Sequence, residues 1–377
     1  MAEIGPNTRL KVSPFYQSTL QEGVAGFSPY NRMLMPVSYG DPAAEYARLM
    51  GGVSQWDVAV ERQVQLKGPD AARLAQILSV RDLSGLRENQ GKYVPMCDHR
   101  GTLINDPVVL QLEDDLIWFS IADKDILMWA RCVAAERGLA VDLSEPDVSP
   151  LQLQGPKSGD IMRALFGDDI SSLRYYWLRE MNLDGIPLVV SRTGWSSELG
   201  YEIYLRDGAR GDELWEKIMA VGAPLGLHPG HTSSIRRIEG AMLSYHADAD
   251  IHTNPYELGL DRLVNLEMNS DFIGKDALRT IRDNGVSRKQ VGLRIEGEAL
   301  KGPNTTFWTV QEEGQIVGKV TSAVYSPRLE QNIALAMVGV NHAATGTPLV
   351  VNTASGTRAA TVVEKPFFDP KKRITAA

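Results

Sequence analysis

The sequence predicts an α+β fold that ends in a separate all-β unit. Two segments share one local pattern, a strand followed by Gly-Pro and an amphipathic helix: L-K-G-P at residues 66–69 and L-Q-G-P at residues 153–156. Between them, residues 93–121 form short strand-like runs joined by turns, which is typical of a β-meander. After about residue 285, short β runs separated by Gly, Asn and Pro predict a barrel or sandwich.

The length of 377 residues predicts two or three domains, at about 150 residues each. We expect a discontinuous first domain at residues 1–60 and 150–284, and an inserted α+β domain at residues 61–149. The two Gly-Pro units flank this insertion. A C-terminal β-barrel domain is expected at residues 285–377.

Composition excludes several classes of protein. The chain has 39 Lys and Arg against 47 Asp and Glu, and a net charge of −8 argues against nucleic-acid binding. No apolar run reaches the roughly 18 residues that a membrane span needs, and we expect no secretory signal at the N-terminus. Two cysteines, Cys97 and Cys132, cannot build a disulfide framework or a four-ligand zinc site, which favours a reducing, cytoplasmic setting.

The generic nucleotide and hydrolase motifs are absent. The sequence contains no G-x-x-x-x-G-K-[ST] loop and no strand-linked G-x-G-x-x-G. It also lacks a G-x-S-x-G elbow and an H-E-x-x-H helix. Chemistry must therefore come from a less generic set of residues.

A helix is predicted after Ser233, a residue type that caps helix N-termini. Arg237 lies on its other face with small neighbours, so a ligand can approach there closely; an ordinary ion-paired arginine is the alternative. Apolar residues at helical spacing form the buried stripe: Ile235, Ile238, Met242 and Tyr245.

Histidines cluster in the same region. Four of the six fall within 25 residues, at His228, His231, His246 and His252. The last two alternate with Asp248 and Asp250, a spacing that suits metal ligands or an acid. A polar loop is the favoured interpretation, and no metal site is predicted.

Several motifs follow one another in order over nearly the whole chain. The segment G-W-S-S-E-L-G-Y-E-I at residues 194–203 resembles G-Y-T-G-E-x-G-[FY]-E-[IV] of the glycine cleavage T-protein (aminomethyltransferase) family. R-I-E-G at residues 237–240 resembles its R-L-E-[AG], and D-F-I-G-K-D-A-L at residues 271–278 also agrees.

A branch of that family, the tetrahydrofolate-dependent demethylases of dimethylsulfoniopropionate, is similar in further segments. W-D-V-A-V-E-R-Q-V at residues 56–64 matches in full, and N-D-P-V-V-L at residues 105–110 agrees. Two segments depart from that branch, at residues 230–239 and 244–248. They lie around the helix of Arg237 and leave the methyl donor open.

The resemblance implies a three-domain cloverleaf that binds folate in its central channel and transfers a methyl group to tetrahydrofolate, giving 5-methyltetrahydrofolate. Large flat side chains can wall a pterin, a carboxylate can accept its N–H groups, and an arginine fork suits an anionic tail. The predicted folate-binding residues are Tyr93, Asp106, Val108, Trp195, Glu202 and Arg237.

The favoured donor is dimethylsulfoniopropionate or a related sulfonium carboxylate. Such a cation is attracted by aromatic faces, for which Tyr30, Trp177, Trp195 and Tyr204 are candidates. An ether would need a proton donor instead. The resemblance implies that Asp106 faces the folate near its reacting nitrogen, and His231 or His246 could be that proton donor. The predicted catalytic residues are Asp106, His231 and His246.

Alternatives remain in other classes. An O- or N-demethylase uses another donor, and an aminomethyltransferase must dock a lipoylated carrier protein. A folate-binding protein of this fold without transfer activity would carry K-G-C-Y-x-G-Q-E, which is absent. The expected partners are the methyl donor and tetrahydrofolate, with neither nucleic acid nor membrane; a homodimer is left open.

Overall fold

The structure is a computed structural model and describes residues 7–376. At its centre is a six-stranded sheet in which neighbours run antiparallel except for the last pair. One strand comes from before residue 60 and the others from after residue 148. In spatial order the strands are Leu178–Leu183, Ile186–Ser191, Gly200–Leu205, Ser149–Gln154, Val53–Asp57 and Leu227–Gly230.

Helices pack on this sheet and bury its apolar side chains. Leu153 and Ile203 of the sheet pack with Ile161 and Trp215 of two helices. Gly155, in the turn between strand and helix, has a φ of +123°, and a Cβ there would lie 2.5 Å from the Gly52 carbonyl oxygen, so the turn requires glycine. The helices of this part are Tyr16–Gln21, Pro42–Gly51, Ser158–Phe166 and Gly211–Gly222.

A second, five-stranded antiparallel sheet is built from the segment between these strands. Gly68 repeats the turn of Gly155: its φ is +133°, and a Cβ would lie 2.7 Å from the Ala140 carbonyl oxygen. Two helices, Ala71–Leu78 and Leu127–Glu136, share a core with the sheet. The strands in spatial order are Asp142–Ser144, Gln63–Lys67, Leu116–Ser120, Val108–Glu113 and Gln90–Tyr93.

Two small antiparallel ribbons border these sheets. One pairs Gly26–Tyr30 with Met33–Ser38, and the other pairs Met96–Cys97 with Leu103–Asn105. Both end close to residues of the predicted site, at Tyr30 and Asp106.

The C-terminal part is a closed six-stranded barrel that follows the helix Lys275–Asn284. Leu293, Val310 and Ala336 are among its fully buried core residues. Around the barrel the strands are Arg288–Ile295, Gln331–Gly339, Gln315–Ser326, Trp308–Glu312, Pro348–Thr353 and Gly356–Val363.

The helix predicted after Ser233 is shorter than expected. It spans Ser234–Glu239, and the Ser233 hydroxyl accepts from the Arg236 N–H at 3.2 Å, as the cap prediction requires. Ala241 has a φ of +51°, a left-handed conformation that does not continue an α-helix. Met242 therefore lies beyond the helix rather than on its apolar stripe.

The barrel is joined to the first sheet by this short helix and by the C-terminal segment. Ile238 packs with Val324 and Leu335 of the barrel. The segment after Val363 returns to the helix end, where the Phe368 N–H donates to the Glu239 carbonyl oxygen at 3.0 Å. The division into domains at residues 61, 150 and 285 stays a prediction. Over residues 7–376, no helix has the length and apolar character to cross a membrane.

Candidate active site

Most of the predicted site residues line one central cavity of about 880 Å³. Its wall combines both sheets, the N-terminal ribbon and the C-terminal segment. A second cavity of about 570 Å³, beside the helix Lys275–Asn284, is lined by none of them, and we place the site in the central one. The predicted residues that line the central cavity are Tyr30, Tyr93, Asp106, Val108, Trp195, Glu202, His231 and Arg237.

Glu202 is a buried carboxyl group on the strand Gly200–Leu205. Gln152 lies opposite it in register and donates to Oε1 at 2.7 Å. Oε2 accepts from the Tyr204 hydroxyl at 3.0 Å and from the Thr193 hydroxyl. Burial raises the pKa of Glu202, although these three hydrogen bonds oppose the shift.

Asp106 lies in the connection between the strands Leu103–Asn105 and Val108–Glu113. The Tyr93 hydroxyl donates to Oδ2 at 2.8 Å, and Tyr93 pairs with Val108 across the sheet. Oδ1 is buried and has no protein partner within residues 7–376. Burial raises the pKa of Asp106 to about 7, so this carboxyl can both hold and accept a proton near neutral pH.

Glu61 also lines the cavity, and sequence reasoning did not single it out. Burial raises its pKa well above the usual range, and the charge of Glu202 raises it further. Nearby, burial raises the pKa of Tyr30, with Glu61 the first of the charges that add to the shift. The available signal was the W-D-V-A-V-E-R-Q-V segment, which contains Glu61.

Arg237 reaches the cavity with its guanidinium already paired. Nη1 donates to Asp248 Oδ2 at 2.7 Å, and Nη2 donates to the Ser322 hydroxyl at 2.7 Å. With a third bond from Nη1 to the Met242 carbonyl oxygen at 3.3 Å, these contacts leave Nε–H and one Nη2–H for a carboxylate. Other basic side chains line the cavity and can also contact an anionic tail: Arg262, Lys365, Lys371 and Lys372.

The predicted aromatic cage is only partly assembled. Trp177 does not line the cavity; it packs at the edge of the core, with the Arg174 guanidinium 4.0 Å from its ring centroid. Tyr204 is fully buried behind Glu202, beside Trp118. Tyr175 and Tyr176, which precede Trp177 in the sequence, line the cavity instead.

The two histidines predicted as catalytic lie in different settings. His231 lines the cavity, with Nε2 3.2 Å from Glu45 Oε2. Burial lowers the pKa of His231 to about 4 and raises that of Glu45, since it disfavours the charged form of both groups. His246 does not line the cavity: it is exposed, and Nε2 lies 2.8 Å from the Asp123 carbonyl oxygen.

The histidine cluster does not form a metal centre. Among residues 7–376, no three His, Cys, Asp or Glu side chains are grouped so that they could hold a metal ion. Cys97 is buried and Cys132 is exposed, and neither lines the cavity.

Comparisons with known proteins agree with this architecture. Residues 15–268 match the GCVT N-terminal domain family, and residues 288–369 match the glycine cleavage T-protein C-terminal barrel domain family. The aminomethyltransferase T of the glycine cleavage system from Bartonella henselae has the same fold, with a TM-score of 0.84 over 96% of this chain and 98% of that chain, at 20% identity.

Two curated relatives align with nearly the whole length of the chain. The chain is 40% identical to dimethylsulfoniopropionate demethylase DmdA of Ruegeria pomeroyi, over 97% of this chain and 99% of that protein. It is 34% identical to an aminomethyltransferase of Symbiobacterium thermophilum, over 97% of this chain and 100% of that protein. The predicted α+β fold of the T-protein type with a C-terminal barrel is confirmed, and the chain belongs to the glycine cleavage T-protein family.

Proposed function

We propose that this protein is a demethylase that moves a methyl group from a sulfonium carboxylate, dimethylsulfoniopropionate or a near analogue, to tetrahydrofolate. As a member of its family it is a tetrahydrofolate-dependent methyl-transferring enzyme. Support for this donor comes from the 40% identical relative, whose name states that activity. The observation that carries the proposal is the cavity in which Asp106 Oδ1 is buried without a protein partner.

The residues of the cavity fit a reduced pterin. Its N–H groups are donors, and Asp106 Oδ1 is a buried acceptor that needs one. Glu202 already accepts three hydrogen bonds, which leaves room for about one more at a carboxylate with roughly four acceptor positions. Tyr93 and Trp195 offer flat surfaces beside these carboxyl groups.

The carboxylate tail of folate is expected at the basic side of the cavity. Lys365, Lys371 and Lys372 lie on the C-terminal segment, and Arg262 lies in the short 3-10 helix Asp261–Leu263. Arg237 contributes positive charge, but Asp248 holds its guanidinium in place. We therefore expect the tail to bind these four residues and the side of Arg237 that carries Nε–H.

The chain's own groups account for the proton that methyl transfer releases. Bound tetrahydrofolate supplies a secondary amine nitrogen as methyl acceptor. The methyl carbon–sulfur bond breaks as the carbon–nitrogen bond forms, and the sulfur leaves as a neutral thioether that needs no proton. Asp106, with a pKa of about 7, can accept the proton lost from nitrogen at Oδ1. The remaining work is to hold donor and acceptor in line.

The test is a donor screen with the purified full-length protein and tetrahydrofolate. We expect 5-methyltetrahydrofolate and the thioether in equal amounts from dimethylsulfoniopropionate, and neither product when donor or tetrahydrofolate is omitted. Turnover of a methoxy compound and of no sulfonium would overturn the donor while leaving folate-dependent demethylation in place.

An aminomethyltransferase activity is the second candidate, supported by the 34% identical relative. It is tested with an aminomethylated lipoyl carrier protein in the same assay. Release of ammonia with formation of methylenetetrahydrofolate from that carrier, and no demethylation of small donors, would favour it.

A further inference from the structure

Glu61 is a carboxyl group of the cavity that the folate contacts proposed above do not use. It lies in the connection from Val53–Asp57 to Gln63–Lys67, where the chain crosses from the six-stranded to the five-stranded sheet. Its N–H donates to the Val58 carbonyl oxygen at 2.9 Å, and its carbonyl oxygen accepts from the Gln63 side-chain amide at 2.5 Å. The backbone that carries the carboxylate is therefore fixed.

The side chain of Glu61 has no hydrogen bond or ion pair within residues 7–376. The charge of Glu202, which has the same sign, raises the pKa of the Glu61 carboxyl. Among residues 7–376, no basic side chain counteracts this shift. The titratable groups that face it include Tyr30 and Tyr204, whose pKa values its charge helps to raise. Without a positive neighbour this carboxyl keeps its proton more readily than an exposed one, since a carboxylate there has no counter-charge. A ligand with positive charge beside Glu61 would stabilise the carboxylate form.

A sulfonium or quaternary ammonium centre has no N–H or O–H, so it binds by charge rather than by hydrogen bonds. Glu202 has its oxygens engaged by three protein donors, whereas the Glu61 carboxylate is free of such contacts. Tyr30 lines the cavity close by and can place an aromatic face on the same cation. A neutral ether would leave the carboxyl group of Glu61 without a counter-charge.

We propose that Glu61 selects the methyl donor by charge, pairing its carboxylate with the positive centre of a sulfonium or quaternary ammonium donor inside the cavity. This inference rests on the proposed demethylase function and adds a specificity residue to it. It also replaces the predicted cage of four aromatic residues, of which Trp177 and Tyr204 do not line the cavity.

The test compares two probes of the same shape that differ in charge. Dimethylsulfoniopropionate and 4-methylpentanoate have the same skeleton, with S⁺ in the first replaced by C–H in the second. Their dissociation constants are measured by calorimetry on wild type, on Glu61→Gln and on the control Glu113→Gln, which removes one charge from the exposed end of the strand Val108–Glu113. Binding of tetrahydrofolate and thermal unfolding are followed in parallel.

We expect wild type and the Glu113→Gln control to prefer the cation by at least tenfold, about 1.4 kcal/mol. Glu61→Gln should reduce that preference to about twofold, while its affinities for 4-methylpentanoate and tetrahydrofolate stay near those of wild type. Glu61→Asp, which keeps the charge, should retain a clear preference and serves if the glutamine variant fails to fold.

Three results would overturn the inference: no preference in wild type, an unchanged preference in Glu61→Gln, or a loss of tetrahydrofolate affinity that places Glu61 in the folate pocket. A turnover assay separates this from failure of the proposed function. If wild type demethylates the sulfonium and Glu61→Gln still prefers the cationic probe, the proposed function holds and the role of Glu61 is wrong. If wild type does not demethylate it and Glu61→Gln loses that preference, this donor is wrong and charge selection by Glu61 holds.

Discussion

Buried charges at the joint between the helix Ser234–Glu239 and the barrel are paired with opposite charges, whereas the carboxyl groups of the central cavity are not. Arg236 is fully buried, donates to Glu198 at 2.7 Å and lies 3.4 Å from Glu239. Glu239 in turn accepts from the Ser326 hydroxyl of the barrel at 2.6 Å. In the cavity, by contrast, Asp106 Oδ1 has no partner within the described residues.

Two glutamates of a single sequence motif differ in role: one stabilises the fold, and the other lies beside the cavity where a ligand can bind. Glu198 and Glu202 both belong to the segment at residues 194–203. Glu198 meets an arginine at the joint, and Glu202 meets only neutral donors beside the cavity. Paired buried charges mainly affect stability when one partner is removed, while carboxyl groups with raised pKa values and no counter-charge mark a place for a ligand.

Breaking the paired set should have the largest effect. Arg236→Met removes the cation from between Glu198 and Glu239 and leaves both carboxylates buried. We expect a loss of about 3–5 kcal/mol in the free energy of unfolding, measured by urea denaturation. The control Arg163→Met breaks an exposed pair with Asp160 and should cost no more than about 0.5 kcal/mol. Similar losses in both variants would show that the joint does not depend on this ion pair.

Removing the carboxyl group of Asp106, whose Oδ1 has no partner among the described residues, should instead affect turnover. Asp106→Asn keeps the shape and the contact with Tyr93 but cannot accept a proton, and kcat should fall by about 100-fold. In wild type the acceptor form grows as pH rises through about 7, so kcat should rise over that range, and the variant should lose this dependence. A pH–rate profile from pH 5.5 to 8.5 on both proteins measures it.

The pH dependence of stability tests whether folding raises the pKa of Asp106. The folded-state pKa of Asp106, about 7, lies above the ordinary value of 3.8, so its contribution to stability is full at low pH and is lost as pH rises toward 7. Asp106→Asn should therefore unfold at a higher temperature than wild type at pH 8, and near the same temperature at pH 4. A variant that is less stable than wild type at pH 8 would contradict the raised pKa.

The next effect in size concerns folate binding. Glu202→Gln keeps the side-chain volume but turns one acceptor oxygen into a donor that faces Gln152, Thr193 and Tyr204. We expect at least a tenfold loss of tetrahydrofolate affinity by isothermal titration, about 1.4 kcal/mol. Glu180→Gln, on an exposed strand position paired with Arg206, is the matched control. Equal affinities in all three proteins would remove Glu202 from the folate site.

The sequence was sufficient for the fold because its signals are local. The paired Gly-Pro turns mark real positions of positive φ at Gly68 and Gly155, and the β runs after residue 285 close into the barrel. Alternation along the strand Gly200–Leu205 puts Glu202 and Tyr204 on one face, where their side chains are joined by a hydrogen bond.

The site was harder to predict because the cavity forms only when distant segments assemble. Strand alternation shows which residues share a face, but not which of them border the cavity. Tyr204 shares a face with Glu202, yet it is fully buried and does not line the cavity. Trp177 is one residue beyond Tyr176, and only the latter lines the cavity. Glu61 was missed because a lone glutamate in a loop has no distinguishing pattern until its surroundings prove to lack a cation.

The smallest effect is expected at the histidines, and it tests the chemistry of the leaving group. His231 has a pKa lowered by burial to about 4, so it is neutral at pH 7 and holds no extra proton to donate. His246 lies outside the cavity. A sulfonium leaves as a neutral thioether and needs no acid, so His231→Gln with His246→Gln should change kcat for dimethylsulfoniopropionate by less than about twofold.

An ether leaves as an alkoxide, and a histidine acid at either position would make the double variant about 100-fold slower with a methoxy donor. The measurement is kcat of wild type and of the double variant with each of the two donors. A 100-fold fall in kcat with the sulfonium would contradict the mechanism in which only Asp106 accepts a proton.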